Sequence, residues 1–384
     1  MSEVLEAPES MARLAVAMSG GVDSAVAAAL LTEQGHDVIG LTMNLWPTWV
    51  PPAQEGSRTC CGINAIDDAR AVARQLGIRH YVLNLREEFE RVVIDYFCDE
   101  YARGRTPNPC IACNQAIKFR VLLEKVRALG CEHLATGHYA RIDRDPGTGR
   151  FLLRRAVDAA KDQSYVLYGL TQPQMARVRF PVGRYTKPEI RAVARRFRLP
   201  VADKPDSQEI CFVPSGSYAD LVVARRPLAG RSGPIVDQQG TVVGAHRGVA
   251  HYTVGQRRGL GLAEREPRFV VGIDPSRNAL VVGERRALLR ARVVLGRVNW
   301  IVPPPPPAEV TVRMRHAAGE VPARLRIQAD GQVIVEFAAP QPAAAPGQAV
   351  AFYDESRVLG GGIIETEEQP KAHPKEMNDH EQPE

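Results

Sequence analysis

The segment Leu14-Ala15-Val16-Ala17-Met18-Ser19-Gly20-Gly21-Val22-Asp23-Ser24, with the alanine-rich stretch that follows it, decides the fold. The apolar residues 14–18 are typical of a buried parallel strand, and residues 25–34 are typical of a helix. A strand, a glycine turn and a helix start bring together backbone N–H groups and the hydroxyls of Ser19 and Ser24, which favours binding of a phosphate or pyrophosphate. No Lys follows the glycines, so this is not a Walker loop; Gly-Gly alone would equally fit a plain βα turn.

The first 140 residues alternate between strand and helix patterns. Strands are predicted at residues 38–43, 81–85 and 133–138, and helices at residues 64–76, 87–103 and 114–129. A further helix is predicted after the capping box formed by Thr186 and Glu189. This alternation implies βαβ units and a doubly wound parallel sheet, in which ligands bind at the carboxyl ends of the strands. The 19–24 turn lies at such an end.

The pattern changes after about residue 215. Short β-rich stretches separated by turn residues follow at 269–273, 279–282, 309–315, 323–327 and 332–337. They predict all-β modules, within or between which the prolines at 303–307 form a stiff spacer or a rim loop. We expect a loose extension at 1–10 and a disordered tail at 367–384.

Composition excludes several classes of protein. Of the 384 residues, 45% are hydrophobic and 24% charged, which is ordinary for a soluble protein of two or three domains. No apolar stretch approaches the ~20 residues that a membrane helix needs, and the acidic N-terminal stretch is not a secretory signal. Seven cysteines, an odd number, favour a reducing cytoplasm over a disulfide framework.

Positive charge is concentrated in one part of the chain. Residues 141–204 carry 15 Lys or Arg against 6 Asp or Glu, a local net charge of +9, whereas the whole chain carries +5. Such a block is either a solvated surface or the footprint of a polyanion such as RNA. Composition alone favours neither interpretation.

Two segments carry cysteines of interest. Residues 106–114, Thr-Pro-Asn-Pro-Cys-Ile-Ala-Cys-Asn, are predicted to join two helices and to place Cys110 and Cys113 at a helix start. The helix dipole and nearby basic residues favour a thiolate there, as a nucleophile requires; half a zinc site is the alternative, but no second pair follows. Cys211, within Asp-Ser-Gln-Glu-Ile-Cys-Phe at 206–212, is by its neighbours alone more typical of a core residue.

Together these segments resemble one family, the bacterial tRNA-specific 2-thiouridylases (MnmA/TrmU) of the PP-loop ATP pyrophosphatase superfamily. Further matching segments are Ala-Thr-Gly-His-Tyr at 135–139, Lys-Asp-Gln-Ser-Tyr at 161–165, His-Tyr-Thr-Val-Gly-Gln-Arg at 251–257, and residues 359–364. The resemblance implies an α/β plus all-β chain: a doubly wound parallel-sheet PP-loop domain at 11–215 (adenine nucleotide alpha hydrolase-like), a central β-rich domain at 216–287 and a C-terminal tRNA-binding β-barrel at 288–366.

The same resemblance implies an activity. Family members use ATP to adenylate the C2 oxygen of the wobble uridine in tRNAs for Lys, Glu and Gln, and then replace that oxygen with sulfur from a cysteine persulfide, releasing AMP and pyrophosphate. It therefore implies ATP and Mg²⁺, tRNA as partner, a sulfur donor protein (a cysteine desulfurase or a sulfur relay protein), no membrane, and a monomer in the cytoplasm.

Site residues follow from the resemblance residue by residue. It implies that Cys113 is the nucleophile, that Cys211 carries the persulfide and that Asp23 orients Mg²⁺ and pyrophosphate. The ATP-binding residues would be Ala17, Met18, Ser19, Gly20, Gly21, Val22, Asp23, Ser24, Met43 and Gly137. The tRNA-contacting residues would be Asn108, Pro109, Cys110, His138, Lys161, Asp162, Gln163, Arg313, Met314 and Gln348.

Cys110 departs from the commoner family pattern. Many members have an Asp here, assigned as a general acid/base partner of the nucleophile, and a thiol cannot repeat that role with the same pKa. Other members carry Cys, and then Cys110, Cys113 and Cys211 form a three-thiolate set for an iron–sulfur cluster that delivers sulfide. The sequence slightly favours the persulfide route. A PP-loop ligase acting on a small molecule and a non-catalytic RNA-binding protein are rivals that leave some of these motifs unused.

Overall fold

The computed structural model describes residues 12–47, 49, 63–206, 210–213, 217–262, 266–305, 308–315, 319–342 and 345–365. The extension at 1–10, the tail at 367–384 and residues 207–209 of the second cysteine segment lie outside the described residues. Within them the strands form three sheets. None of the helices described is long and apolar enough to span a bilayer.

The strands are numbered in chain order. They are β1 (Arg13–Ala17), β2 (Asp37–Asn44), β3 (Arg79–Asn84), β4 (His133–Thr136), β5 (Ala140–Arg144), β6 (Phe151–Arg155), β7 (Val178–Arg179), β8 (Gly233–Val236), β9 (Val242–His246), β10 (Phe269–Asp274), β11 (Ala279–Gly283), β12 (Leu289–Trp300), β13 (Ala308–Arg313), β14 (Val321–Ile327), β15 (Val333–Pro342), β16 (Ala349–Asp354) and β17 (Arg357–Ile364).

The α-helices are numbered in the same way. They are α1 (Val22–Glu33), α2 (Ile63–Leu76), α3 (Arg86–Phe89), α4 (Asp95–Ala102), α5 (Pro109–Ala112), α6 (Leu123–Ala128), α7 (Gln172–Met175), α8 (Lys187–Arg196) and α9 (Tyr218–Arg225). π-Helical segments at Glu90–Ile94 and Cys113–Leu122 join α3 to α4 and α5 to α6. Short 3₁₀ turns lie at Ser164–Leu167, Pro181–Arg184, Pro227–Gly230, Val249–His251 and Arg285–Leu288.

The first sheet is parallel, with strand order β3-β2-β1-β4-β7. β1 is central, and its residues are apolar because helices cover both faces of the sheet. α1 follows β1 directly and is buried along most of its length by alanines and leucines. The predicted doubly wound fold is confirmed, and the 19–24 turn lies at the carboxyl end of the central strand.

The cysteine helix begins earlier than the sequence predicts. We call the continuous helical run from α5 to α6, residues 109–128, the cysteine helix. The Asn108 side chain accepts hydrogen bonds from the N–H groups of Cys110 (3.0 Å) and Ile111 (3.2 Å), and Pro109 occupies the first helical position. This cap starts the helix at Pro109 instead of residue 114, so Cys110 and Cys113 both lie within it.

The remaining strands build two further sheets. The central part of the chain forms a four-stranded sheet in the order β10-β11-β8-β9. In the C-terminal part, β12-β15-β14-β13-β16-β17 closes on itself because β17 also pairs with β12. The predicted β-barrel is therefore confirmed.

The barrel and the parallel-sheet domain share structure. The hairpin β5–β6 extends the barrel sheet, because Arg154 and Leu153 of β6 pair with Arg357 and Val358 of β17. One apolar core also runs between the two parts of the chain. Within it the buried Tyr165 hydroxyl donates to the carbonyl of Ala349 at 2.9 Å. The two domains therefore have a continuous hydrophobic interior.

A buried carboxylate links the two domains as well. The side chain of Glu100 in α4 is 1% exposed and accepts a hydrogen bond from Arg105 at 2.8 Å. Arg105 also pairs with Glu365, beyond β17, at 2.8 Å. The exposed Arg103 lies 3.5 Å from Glu100. Arg105 thus joins a carboxylate on each side of the domain boundary.

We predict that Arg105→Ala lowers the free energy of unfolding by about 3 kcal/mol, because a buried carboxylate loses its main partner. Arg103→Ala is the matched control and should change it by less than about 0.5 kcal/mol, since that arginine is exposed. Urea midpoints at constant slope measure both. Equal shifts in the two variants would contradict the assigned role of Arg105.

Candidate functional site

The 19–24 turn is held in one geometry by local contacts. The hydroxyl of Ser24 accepts from the N–H of Ser19 at 3.1 Å and lies 3.3 Å from the Ser19 hydroxyl. Gly20 has a φ of +68°, and a Cβ there would lie 2.3 Å from the carbonyl oxygen of Ala65 in α2. Only glycine fits this position. The turn therefore presents backbone N–H groups and two hydroxyls at the start of α1, as an anion site requires.

The other predicted ATP-binding residues surround this turn. Ala17 ends β1, and Met43 lies near the end of the neighbouring strand β2. The backbone of Gly137, just after β4, packs so closely on the first turn of α1 that a Cβ would lie 2.6 Å from the Ser24 nitrogen. The carboxyl ends of three adjacent strands thus meet at the turn, as the sequence predicts.

Asp23 of the turn has partners that the sequence did not identify. Lys187 donates to both of its carboxylate oxygens, at 2.7 and 2.9 Å, and the Tyr139 hydroxyl donates at 2.7 Å. Burial and the neighbouring Asp23 raise the pKa of the Tyr139 phenol, which therefore stays protonated as a donor. Lys187 is the first residue of α8, after the predicted capping box, which is confirmed. The sequence predicted that a helix begins here, but it did not predict that Lys187 contacts Asp23.

The same lysine reaches the second cysteine segment. Lys187 lies 2.8 Å from Asp206, the first residue of that segment, and Lys161 contacts the other oxygen of Asp206 at 2.8 Å. Burial alone would raise the pKa of Asp206, but hydrogen bonds from the two lysines hold it below its usual range. We call Asp23, Lys187, Asp206 and Lys161 the charge chain. It connects the 19–24 turn to the segment that contains Cys211.

Part of the basic block at 141–204 therefore serves the site. Lys161 and Lys187 belong to the charge chain, and Lys204 donates to the carbonyl of Gly20 at 2.9 Å and pairs with Asp68. Arginines such as Arg195 and Arg196 instead form exposed pairs on the outer face of α8. The block thus combines interior contacts at the turn with an exposed positive surface.

The three candidate cysteines occupy two environments. Cys110 is exposed, whereas Cys113 and Cys211 are half-buried and pack against the same apolar cluster, which includes Ile117 and Phe212. In the described part of the chain no three His, Cys, Asp or Glu side chains gather at one point. Cys113 and Cys211 thus share one apolar environment, whereas Cys110 is open to solvent.

The predicted tRNA-contacting residues do not all face outward. Asp162 is buried and accepts from Arg313 at 3.1 Å and from the Ser164 hydroxyl at 2.8 Å. The Gln163 side chain accepts from the Tyr139 N–H at 3.0 Å. Asp162 and Arg313 thus bond to each other across the domain boundary, and Gln163 positions the segment between β4 and β5 that holds Tyr139.

Other members of that set are also partly or fully enclosed by the fold. His138 packs between Phe119 and Phe180 and contacts the Thr136 hydroxyl at 2.7 Å. Burial and Lys118 hold the pKa of His138 well below its usual range, so the imidazole is neutral. Met314 is buried in the barrel. Half-buried Gln348, in the barrel too, keeps its side-chain oxygen without a hydrogen-bond partner in the part of the chain that the structure describes.

Models of three protein families match consecutive parts of this chain. They are described as the tRNA methyl transferase HUP domain over residues 12–215, the tRNA methyl transferase PRC-barrel domain over residues 223–284 and the aminomethyltransferase beta-barrel domain over residues 290–364. The first match alone covers more than half of the chain.

Curated relatives match nearly the whole chain. It is 52% identical over 353 residues to the tRNA-specific 2-thiouridylase MnmA of Heliobacterium modesticaldum, an alignment that covers 91% of both proteins. It is 53% identical over 354 residues to the protein of the same name from Moorella thermoacetica, covering 91% of this chain and 99% of that protein.

Solved structures match less closely. A 4-thiouridine synthetase–RNA complex with bound ATP aligns with 53% of this chain and 46% of its own, at 19% identity and a TM-score of 0.34. NMN synthetase from Francisella tularensis aligns with 56% and 77%, at 14% identity and a TM-score of 0.32. Both scores are below 0.5, so inference about activity rests on the sequence relatives.

We predict a clear order of cysteine alkylation in the native protein. Among the five cysteines in the described part of the chain, Cys110 should react first because it is exposed, and Cys113 and Cys211 should react more slowly. Cys98 and Cys131 should stay unlabelled at pH 8, because burial raises the pKa of Cys98 to about 11 and also raises that of Cys131. Peptide mass spectrometry measures the order, with labelling in urea as control. Native labelling of Cys98 as fast as that of Cys110 would contradict the described packing.

Proposed function

Because the chain belongs to the tRNA-specific 2-thiouridylase family, we propose that it catalyses ATP-dependent 2-thiolation of the wobble uridine in tRNAs for Lys, Glu and Gln. The observation that carries this proposal is an identity above 50% with relatives of that name over nine tenths of the chain. The 19–24 turn and the Cys113–Cys211 pair supply the two halves of such a reaction.

The first half is activation of a poor leaving group. The C2 oxygen of uracil leaves readily only after it has been joined to AMP, so the enzyme must bind ATP and release pyrophosphate. The N–H groups and hydroxyls of the 19–24 turn suit the phosphates. Asp23 would hold Mg²⁺, which prefers carboxylate and phosphate oxygens and would offset the charge of the departing pyrophosphate. ATP as the activating substrate belongs to this proposal.

Lys187 places a buried positive charge beside the turn. Its ammonium now bonds two carboxylates, Asp23 and Asp206, and is almost fully buried. Phosphate oxygens placed at the turn would compete with those carboxylates for the same three N–H donors. We infer that Lys187 stabilises the negative charge that grows on pyrophosphate as it leaves.

The second half is delivery of sulfur. The terminal sulfur of a Cys211 persulfide attacks C2 of the adenylated base, and AMP leaves with the former C2 oxygen. The Cys113 thiolate then attacks the Cys211 sulfur, which frees the thiocarbonyl of the base and leaves a Cys113–Cys211 disulfide. A reductant reopens this disulfide before the next turnover. The shared packing of Cys113 and Cys211 on one apolar cluster supports this route over the cluster route.

In this proposal the exposed basic surface and the barrel bind the tRNA. The base must leave the anticodon stack to reach the cysteines, as in other base-modifying enzymes. Phosphate contacts from the basic block and shape recognition by the β modules suit an RNA of this size. A sulfur donor protein (a cysteine desulfurase or a sulfur relay protein) and action as a cytoplasmic monomer complete the proposal.

We predict that Cys113→Ser and Cys211→Ser each abolish 2-thiouridine formation on unmodified tRNA, because each removes one partner of the sulfur exchange. Cys98→Ser, the matched control, should keep activity, and Cys110→Ser should reduce it only mildly. Nucleoside mass spectrometry after incubation with ATP, Mg²⁺ and a sulfur donor measures the product. Activity retained by either of the first two variants would contradict the mechanism.

Two further outcomes of that assay separate the alternatives. AMP formation that needs no tRNA would favour a ligase acting on a small molecule. Iron in anaerobically purified wild-type protein, together with complete loss of activity in Cys110→Ser, would replace the persulfide route with the cluster route.

We predict that Lys187→Gln lowers kcat/KM for tRNA-dependent AMP formation by about 100-fold, because it removes a buried charge from the leaving pyrophosphate. Arg195→Gln is the matched control on the same helix, and it should leave the rate within about twofold because its ion pair with Asp203 is exposed. Equal losses in both variants would indicate damage to α8 instead of a role in pyrophosphate release.

A further inference from the structure

A cavity of about 200 Å³ lies between the parallel-sheet domain and the barrel. Tyr96 of α4 and Asn108 contribute to its lining from the first domain, and Arg297 of β12 and Ile363 of β17 contribute from the barrel. We call it the interdomain pocket. None of the residues that line it carries a step of the thiolation mechanism described above.

The pocket lies on a different face of the cysteine helix from Cys113. Ala112, Gln115 and Ala116 line the pocket, a spacing that places them on one side of the helix. Cys113 instead packs with Ile117, four residues further on, against the apolar cluster that also holds Cys211. A group bound in the pocket is therefore separate from the base that reacts at the thiols, although Asn108 at the helix start borders the pocket.

The chemistry of the lining is that of a nucleobase site. The half-buried ring of Tyr96 supplies aromatic surface, and Gln115 and the fully buried Tyr168 also line the pocket. The guanidinium of Arg297 lies 5.9 Å from the Tyr96 ring centre. Aromatic rings and guanidinium planes stack on unpaired bases, and carboxamides such as those of Asn108 and Gln115 bond to base edges.

Arg297 has an unusual backbone for an arginine. Its φ is +49°, within an irregularity of β12 between Gly296 and Asn299, and more than half of its side chain is exposed. Left-handed backbone is disfavoured for residues other than glycine, Asn and Asp. The Arg297 side chain faces the Tyr96 ring and lies 4.0 Å from Glu100. An irregularity of this kind can re-aim a side chain, and here Arg297 becomes part of the lining of the interdomain pocket.

We propose that the interdomain pocket binds one unstacked nucleobase adjacent to the target uridine in the substrate RNA. The inference rests on the proposed function, since it assumes that RNA is the substrate. The volume is below the ~300–1,000 Å³ of sites for whole small molecules and suits a single planar ring system. Holding a neighbouring base fixes the position of the wobble uridine relative to Cys113 and Cys211.

The test combines protein variants with altered RNA. Tyr96→Ala removes the stacking surface, and Arg297→Gly removes the guanidinium while relieving the left-handed backbone. Tyr96→Phe keeps the ring, and Glu355→Gly relieves another exposed left-handed residue of the barrel, with a φ of +49°, outside the pocket lining; both serve as controls. Each protein is titrated at fixed salt with unmodified tRNA and with tRNAs that are abasic at either nucleotide beside the wobble position.

We expect Tyr96→Ala and Arg297→Gly each to bind intact tRNA about tenfold more weakly than wild type, with the controls within about twofold. One of the two abasic tRNAs should bind the wild-type protein about tenfold more weakly than intact tRNA does. Its affinity should not fall further in the two variants. KM for tRNA should rise by a similar factor while kcat changes little.

Three results would overturn the inference. They are unchanged binding in both variants, losses that add fully to those of both abasic tRNAs, and a thiolation defect seen only with a protein sulfur donor and not with inorganic polysulfide, whose sulfane sulfur can load Cys211 directly. The last would assign the pocket to the donor protein. Thiolation of tRNA by the wild-type protein tests the proposed function, and the titrations of the variants test the pocket. If the wild-type protein thiolates tRNA, the proposed function stands even when the titrations contradict the role of the pocket.

Discussion

The site depends on one buried cation, the ammonium of Lys187. It lies between two carboxylates, Asp23 and Asp206, in a part of the protein where water screens charges poorly. Removing any one of the three leaves an unbalanced buried charge, which is costly. The start of α1, the start of α8 and the beginning of the Cys211 segment are therefore held in one arrangement by a shared electrostatic requirement.

The charge balance at Lys187 links the 19–24 turn to the segment that contains Cys211. Phosphates bound at the turn, as proposed, would compete with Asp206 for Lys187, whereas the contact of Lys161 with Asp206 would remain. Under the proposed function, occupancy of the turn would therefore change the anchoring of the segment that contains Cys211. Because a ligand shifts an equilibrium only through differential contacts, the competition of phosphates and carboxylates for one ammonium is a sufficient physical cause.

Local patterns predicted the elements well, but they did not predict contacts between distant residues. The strand–turn–helix at 19–24 was predictable because apolar runs, glycines and hydroxyls act within a few residues. Lys187 was not recognised, because it lies 164 residues from Asp23 and only the folded chain brings them together. Asp162 and Arg313 were expected at RNA-contacting positions, and the structure shows that they bond to each other, since motif spacing does not report which way a side chain points.

Because the hairpin β5–β6 pairs with β17, neither domain can be exchanged or redesigned independently of the other. The strands of the hairpin lie within the parallel-sheet part of the chain, yet they extend a sheet whose other strands come after residue 288. A barrel transplanted from a relative would have to accept the hairpin of its new host, and a truncated first half would expose an unpaired edge prone to aggregation. The two halves are thus constrained to diverge together, as if they were a single module.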